Sequence, residues 1–389
     1  MSVSQSTTKP EKPYPEFPLF PHTRGQWVKK FRGKQYSCGT WYDENGKSNH
    51  VAALARWNEI RNRLELGAAP QRKSSDQITT DRLVNLYLDA KNAKVEVGDL
   101  SKATFNQYKL VCRWLKDNLG EHRLVESLEP IDFVTLRSKF PKEWRTTTIK
   151  NQIVLIRSIF RWAYEAGLLD RPVRYGDNFS KPKPKRVKAE KAKSHKKEFT
   201  AQEFWTLFKH APPQIRAWML LGLNAGYGNS DLSRLKVARA TGEWLDVIRG
   251  KTSEPRRCWL WPETRRAIKT VLKNHDGGEL LFQSMFGQPL VAEDGTRDAV
   301  TGEFKKLREA CKVDRKGVSF YALRHMTETI GGQCPGVPNV QVVVDFIMGH
   351  KDDSMGGVYR ESIPDASIKK VCQHIRNWIM DAKPSRLRV

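Results

Sequence analysis

The sequence predicts a mainly α-helical protein with small β elements, divided into several domains. The chain has 389 residues, which is more than one ordinary hydrophobic core accommodates. Hydrophobic residues make up 39% of it and include 12 tryptophans, so the domains have ample apolar surface to bury. Apolar side chains recur at helical intervals of three and four along most of the chain, whereas strand-like alternation is confined to two short segments.

The N-terminal part of the chain is predicted to hold an arm and a small module. Residues 1–20 are polar and rich in Pro and Lys, which predicts a flexible arm. Residues 21–67 are predicted to form a small β-sheet plus helix: Gln26–Tyr42 has strand-favouring aromatics around a turn at Arg32-Gly33-Lys34, and a helix follows at about Ser48–Leu66. The many Lys and Arg favour contact with DNA, and a packing module without a ligand is the alternative.

Residues 78–170 are predicted to form a compact domain of four helices. The hydroxyl side chains of Thr79 or Thr80, and of Ser101, are suited to cap the first two helices by accepting backbone N–H groups. Apolar residues recur every three or four positions in each segment. The expected helices are Thr80–Ala93, Ser101–Leu119, Ile131–Phe140 and Thr147–Ala163.

Residues 180–197 are predicted to be a basic linker. Nine of these residues are Lys or Arg, and Glu190 is the single acidic residue. Two X-Pro steps and the scarcity of apolar residues favour a connecting segment rather than a packed element. Such a linker either keeps the chain soluble or lies along a phosphate backbone.

Residues 198–380 are predicted to form a third domain, mostly helical with one small sheet. Trp244–Ile248 and Arg257–Trp261 alternate as the strands of a β-hairpin whose turn is Arg249–Pro255. Helices are expected on both sides of the hairpin, at Thr200–His210, Gln214–Asn224, Ser230–Lys236, from Pro262 onward, Asp298–Cys311, Tyr321–Gly331, Val340–Met348 and Asp365–Met380.

The charge of the chain indicates a polyanionic partner. Its formal net charge is +25, far more than solubility requires, and self-repulsion at that charge costs stability. Double-stranded DNA is the expected partner, because Lys and Arg gain affinity by releasing counterions from phosphates. A membrane surface is the alternative, but it favours one basic amphipathic helix, and here the charge is spread along the chain.

The cysteines and the hydropathy argue against other classes of protein. The six cysteines are scattered without a C-x-x-C pair, so neither a zinc site nor a disulfide scaffold is expected. No stretch approaches eighteen consecutive apolar residues, so no membrane span is expected. We therefore expect reduced thiols in a cytoplasmic, nucleoid-associated protein that needs no metal or cofactor.

Four segments far apart in the chain together resemble the tyrosine recombinase (phage integrase) family. They are Arg249-Gly250-Lys251-Thr252 followed by Arg256 and Arg257, then Tyr321-Ala322-Leu323-Arg324-His325, then Met348-Gly349-His350, and then Tyr359, nine residues after His350. The resemblance covers roughly residues 78–380. It implies a helical core-binding domain that clamps DNA and a catalytic domain, and residues 21–67 are similar to the arm-binding module of many integrases.

The resemblance also implies a role for each residue of the site. Tyr359 is implied as the nucleophile that forms a 3′-phosphotyrosyl link, and Arg324 as a planar fork that binds two phosphate oxygens. Lys251 is implied as the acid for the leaving 5′ oxygen, His350 as a donor to the phosphate, and Tyr321 occupies a position where the family usually has His. Four of these residues have ordinary structural alternatives: Tyr359 as a helix tyrosine, Arg324 as a surface ion pair, Lys251 as a turn lysine and His350 as a helix cap.

One departure from the family pattern bears on activity. Most members have an arginine three positions before the acidic residue that is Asp231 here, and this chain has Gly228 instead. Loss of an arginine that stabilises a phosphoryl transition state costs roughly 10³–10⁵ in rate. The replacements that we consider are Arg234, Arg216 or a linker lysine. Asn229 or Ser230 is expected to cap the helix that begins here.

The resemblance therefore implies a site-specific recombinase that acts as a tetramer on DNA. Its C-terminal helix, Ile368–Met380, packs either on a neighbouring protomer or on its own domain. A rival interpretation is a non-catalytic DNA-binding protein that has lost activity through Gly228. A third is a single-protomer nickase, similar to a topoisomerase, with the same residues.

Overall fold

The computed structural model describes residues 9–43, 46–65, 77–192, 197–284, 286–350, 363–385 and 387. Contacts divide the chain into two compact units, Met1–Ile78 and Thr79–Val389, which are described one at a time. The further division of the second unit into a helical domain, a linker and a catalytic domain stays a prediction. No helix among the described ranges is long and apolar enough to cross a membrane.

The first unit is a three-stranded antiparallel sheet followed by a helix. The sheet order is β1 (Phe20–His22), β2 (Gln26–Phe31) and β3 (Lys34–Thr40), and helix α1 spans His50–Glu65. Arg32 and the glycine after it join β2 to β3 with positive φ angles of 48° and 80°. A two-residue turn of this kind matches the twist of paired strands, so the predicted hairpin is confirmed.

The core of the first unit includes residues that the sequence assigned to a flexible arm. Phe17 and Leu19 are fully buried, and the ring of Phe17 meets Trp27 edge to face with centroids 5.1 Å apart. The arm predicted over residues 1–20 is therefore wrong for its last part. Pro and Lys dominate the composition of that segment, but two buried apolar side chains suffice to anchor it.

The second unit opens with the four predicted helices. They are α2 (Thr80–Glu96), α3 (Lys102–Leu119), α4 (Pro130–Ser138) and α5 (Thr146–Glu165). The side chain of Thr79 accepts the backbone N–H of Arg82 at 3.3 Å, and that of Ser101 accepts Thr104 N–H at 3.2 Å. These two caps are confirmed, because the hydroxyl satisfies a donor that has no intrahelical partner.

Part of the predicted linker is helical. Helix α6 spans Pro184–Ala192, inside the segment expected to be a linker over residues 180–197. Pro184 is its first residue, where a missing N–H costs nothing. Glu190 accepts the backbone N–H of Thr146 at 3.0 Å and so caps the first turn of α5. The single acidic residue of the segment thus fixes α6 against the helical domain.

The described residues of the second unit that follow α6 form helices and one β-hairpin. Strands β4 (Trp244–Ile248) and β5 (Pro255–Trp259) are antiparallel, with Ile248 opposite Pro255, so the second strand begins two residues earlier than predicted. The helices are α7 (Ala201–His210), α8 (Pro213–Asn224), α9 (Asn229–Ser233), α10 (Val237–Ala240), α11 (Pro262–Leu272), α12 (Ala299–Ala310), α13 (Ala322–Gly331), α14 (Val340–Met348) and α15 (Asp365–Asp381).

Helix α15 packs on its own domain. Ile368, Val371, Ile375 and Ile379 are all 0% exposed in the main core. Trp205 Nε1 donates to Ile379 O at 2.8 Å and fixes the end of the helix. Four buried aliphatic side chains contribute about 6–12 kcal/mol together, so this helix does not present its apolar face to a neighbour in the structure. The second of the two predicted alternatives is the one observed.

Candidate active site

The site is built around the corner where α14 ends. Gly349 follows Met348 in the left-handed conformation, with φ 64° and ψ 41°. A Cβ at this position would lie 2.9 Å from Cδ of Arg249 and 3.2 Å from Cδ of Arg256. Glycine is therefore required twice, once for the backbone angle and once for the close approach of two arginine side chains. His350 is the next residue.

Arg324 projects from α13 to the same corner. Its side chain is 1% exposed, and its guanidinium donates to Gly226 O and, at 2.9 Å, to Met348 O. Its Nε has no hydrogen-bond partner within the described ranges. Burial lowers the pKa of Arg324 most, and the nearby charge of Arg249 lowers it further. Backbone carbonyls carry no net charge, so they bind this buried guanidinium without neutralising it.

The turn of the hairpin docks on the same corner. Arg249 Nη1 and Thr252 Oγ1 both donate to Gly349 O, at 3.1 and 3.0 Å. Lys251 lies between these two contacts in the sequence, and its side chain is exposed. Two anchors on one carbonyl thus hold the lysine turn beside the residue that precedes His350.

Asp231 is the carboxylate of the site. It accepts the backbone N–H of Gly228 at 2.9 Å, so Gly228, rather than Asn229 or Ser230, is the N-cap of α9. Its Oδ1 lies 3.2 Å from Arg256 Nη2 and 3.9 Å from Arg249 Nε. The carboxylate of Asp231, at the third helical position, accepts the backbone N–H of the capping residue. This hydrogen bond needs no side chain at the N-cap, so glycine can occupy it.

The sequence pattern did not reveal the burial of Arg256. Its side chain is 5% exposed, and its guanidinium carbon lies 3.9 Å from the ring centroid of the buried Tyr227. In the part of the chain that the structure describes, its Nε and Nη1 have no hydrogen-bond partner. The available signal was strand alternation, since Arg256 and Cys258 share the inward face of β5 while Arg257 lies between them.

Three arginines and one carboxylate give this cluster a net charge of +2. Arg249, Arg256 and Arg324 are each at most 8% exposed, and Asp231 is their acidic partner. We call these four residues the arginine cluster. Among the described residues, none donates or accepts a hydrogen bond with the Nε of any of the three arginines. Burying unbalanced charge is costly, so the arrangement favours binding of an anion.

His350 and Tyr321 lie at the edge of the cluster. His350 Nδ1 lies 2.8 Å from Asp345 Oδ1, and the imidazole is 31% exposed. That contact fixes the ring and directs Nε2 away from Asp345. Tyr321 precedes α13 with 45% exposure, and its ring meets His325 edge to face at 5.2 Å. Sequence reasoning missed Asp345, whose position five residues before His350 is unremarkable by itself.

The structure brings together the regions that carry Lys251, Arg324 and His350, with Tyr321 beside position 228. A Cβ at Gly228 would lie 3.5 Å from the Tyr321 ring. Tyr359 lies outside the described residues. No group of three or more His, Cys, Asp or Glu side chains in the described part of the chain could hold a metal ion.

The two arginines considered as replacements at position 228 are engaged elsewhere. Arg216 donates to Phe208 O at 3.0 Å and to Lys209 O at 2.9 Å, and so closes α7. The guanidinium of Arg234 lies against Gly250 in the hairpin turn. Arg249 and Arg256, which were not considered for this role, meet the carboxylate beside Gly228 instead.

No family model matches the sequence, and no curated protein matches it either. Solved structures do match. A lambda integrase dimer bound to a COC′ core site is 17% identical, with a TM-score of 0.54 over 90% of this chain and 96% of that one. A lambda integrase tetramer bound to a Holliday junction is 16% identical, with a TM-score of 0.55 over 91% and 99%.

The Tn1549 transposon integrase in complex with circular intermediate DNA is a second kind of match. It is 16% identical, with a TM-score of 0.52 over 75% of this chain and 98% of that one. At such identities the likeness concerns the fold. The chain has the fold of the tyrosine recombinases, as the lambda and Tn1549 integrases do.

Proposed function

We propose that the chain is a site-specific DNA recombinase of the integrase type, which cuts and rejoins DNA through a 3′-phosphotyrosyl intermediate on Tyr359. One observation carries the proposal: the hairpin turn, α13 and the end of α14 meet at Gly349, so residues about 100 positions apart form one cationic site. Breaking a phosphodiester without a metal requires such cations around the phosphate.

The reaction assigns a task to each group. The Tyr359 oxygen forms a bond to the scissile phosphorus as the bond to the 5′ oxygen breaks, and Lys251 gives that oxygen a proton. Arg324 offers its planar fork to the phosphate oxygens, and His350 donates from Nε2 because Asp345 holds Nδ1. The phosphotyrosyl link retains the energy of the broken bond, so rejoining requires no cofactor.

Double-stranded DNA is the proposed partner, and the cytoplasm, on the nucleoid, is the proposed location. The net charge of +25 supplies the electrostatic part of the affinity. Residues 78–170 are proposed as the core-binding clamp, residues 21–67 as an arm-binding module and residues 198–380 as the catalytic domain. A tetramer on two duplexes is proposed for strand exchange, and since the apolar face of α15 is buried, its contacts form through other surfaces or after α15 is released.

The main rival is a DNA-binding protein without catalytic activity, which Gly228 favours. A binding site is first selected from random duplex DNA, and a nicked suicide substrate is then built on it. Wild-type protein is expected to form a covalent adduct, and Tyr359→Phe to form none. Tyr14→Phe, at an exposed tyrosine outside the proposed DNA-binding and catalytic domains, is expected to behave as wild type. An adduct that persists in Tyr359→Phe identifies another nucleophile. No adduct from wild-type protein on a proven binding site establishes the rival.

A further inference from the structure

Position 228 has no side chain, but the described residues around it leave room for one. Gly228 has φ −95° and ψ 178°, an extended backbone that any residue adopts. A Cβ there would make ordinary contacts, 3.5 Å to the Tyr321 ring and 3.6 Å to Asp231 Oδ2. An arginine at 228 would therefore start beside the carboxylate of the arginine cluster. Within the described part of the chain, no contact at position 228 requires a glycine.

Two arginines of the hairpin reach that carboxylate. Arg256 Nη2 lies 3.2 Å and Arg249 Nε 3.9 Å from Asp231 Oδ1. Both side chains also pack on the backbone of Gly349. The hairpin thus delivers guanidinium groups to the carboxylate that an arginine from α9 would meet.

The two hairpin arginines differ in what holds them. Arg256 stacks on the buried ring of Tyr227 and pairs with Asp231, so its guanidinium is committed to the protein interior. Arg249 donates to Gly349 O, while Arg324 donates to the preceding carbonyl, that of Met348. The two arginines thus donate to the two consecutive carbonyls that directly precede His350.

We propose that Arg249 replaces the arginine missing at position 228 and binds the scissile phosphate together with Arg324. This inference rests on the proposed recombinase function and adds one catalytic residue to it. Like charges held together in a buried site are stabilised when an anion neutralises them, and a phosphodiester carries the required negative charge. The planar fork of arginine suits phosphate oxygens better than a lysine in the same place.

The test is a double-mutant cycle between positions 228 and 249. The readout is the rate of covalent adduct formation on the suicide substrate, with DNA affinity measured separately by gel shift. Arg249→Ala is expected to lower the rate by about 10³ or more, the effect of losing an arginine from a phosphoryl transition state. Gly228→Arg alone is expected to stay within about 10-fold of wild type, and Gly228→Arg with Arg249→Ala to recover at least about 100-fold over Arg249→Ala.

Two further variants keep the result interpretable. Arg239→Ala removes an exposed arginine from α10 and is expected to cleave as wild type, which controls for the loss of one positive charge. Arg249→Lys keeps the charge and about the length of the side chain, and is expected to fold as wild type while losing about 10–100-fold in rate.

The outcomes separate this inference from the proposed function. Adduct formation by wild type with an Arg249→Ala rate within about 3-fold of it overturns the inference and leaves the recombinase function standing. A 10³-fold gain in the rate of adduct formation from Gly228→Arg alone also overturns it. Such a gain would mean that no other residue does the work of an arginine at position 228. A wild-type chain that forms no adduct on its binding site overturns both.

Discussion

Asp231→Asn probes the charge balance of the arginine cluster most directly. The amide keeps the shape of the side chain and can still accept the N–H of Gly228, so the cap of α9 survives. The change removes the partner of Arg256, in a pair whose side chains are 5% and 12% exposed. The cluster goes from a net charge of +2 to +3 without a change in volume.

The expected cost follows from that burial. Breaking a buried ion pair by removing one partner costs about 3–5 kcal/mol, because an uncompensated charge remains. A unit of roughly 300 residues unfolds with an entropy of about 0.6 kcal/mol per kelvin, so the melting temperature should fall by about 5–8 °C. Calorimetry of the full chain without DNA measures this.

Asp246→Asn is the matched control. Asp246 pairs with Arg257 on the outer side of the same hairpin, where the side chains are 50% and 29% exposed. An exposed pair contributes at most about 1 kcal/mol, so its loss should shift the melting temperature by less than about 2 °C. Equal small shifts from both variants would refute the view that the cluster holds unbalanced buried charge.

The remaining predictions concern DNA binding, the imidazole and the C-terminal helix. DNA affinity should fall by at least about 10³ between 50 and 200 mM salt, as gel shifts across that range would show, and a flat profile contradicts a phosphate-dominated interface. Asp345→Asn should slow adduct formation about 10–100-fold at unchanged DNA affinity, because His350 loses the group that orients it, and an unchanged rate excludes this role. Ile375→Ala should lower the free energy of unfolding by about 2–5 kcal/mol in chemical denaturation, and a cost under about 1 kcal/mol would mean that α15 is not docked.

Local signals in the sequence predicted most of the helices. Thr79 and Ser101 cap their helices by contacts within three residues, so a single-sequence pattern contains the whole cause. Helix α6 was missed because Lys, Arg and X-Pro steps outweighed its helix-forming residues, while its anchor, Glu190 on Thr146, lies 44 residues away. Phe17 was missed for a similar reason, since its partner Trp27 is a tertiary neighbour.

The same difference between local and distant causes applies to the candidate site. Arg324, His350 and Lys251 were identified by resemblance, and the structure brings the segments that carry them to one corner. The burial of Arg249 and Arg256 could not be predicted, because an arginine is expected on the surface unless distant residues supply its partners. Asp231 and Gly349 supply them, and neither is a neighbour of the hairpin in sequence.

The carbonyl of Gly349, which Arg249 and Thr252 share, also determines when the site forms during folding. Arg249 and Thr252 reach it across 100 and 97 residues, so the loop between them must close before any contact forms. Contacts of such separation form late, after the helices on either side have folded. A nascent chain that has not yet reached Gly349 carries the hairpin and Arg324 but has no corner on which to hold them. The cationic corner can therefore form only after Gly349 has been synthesised and the loop that leads to it has closed.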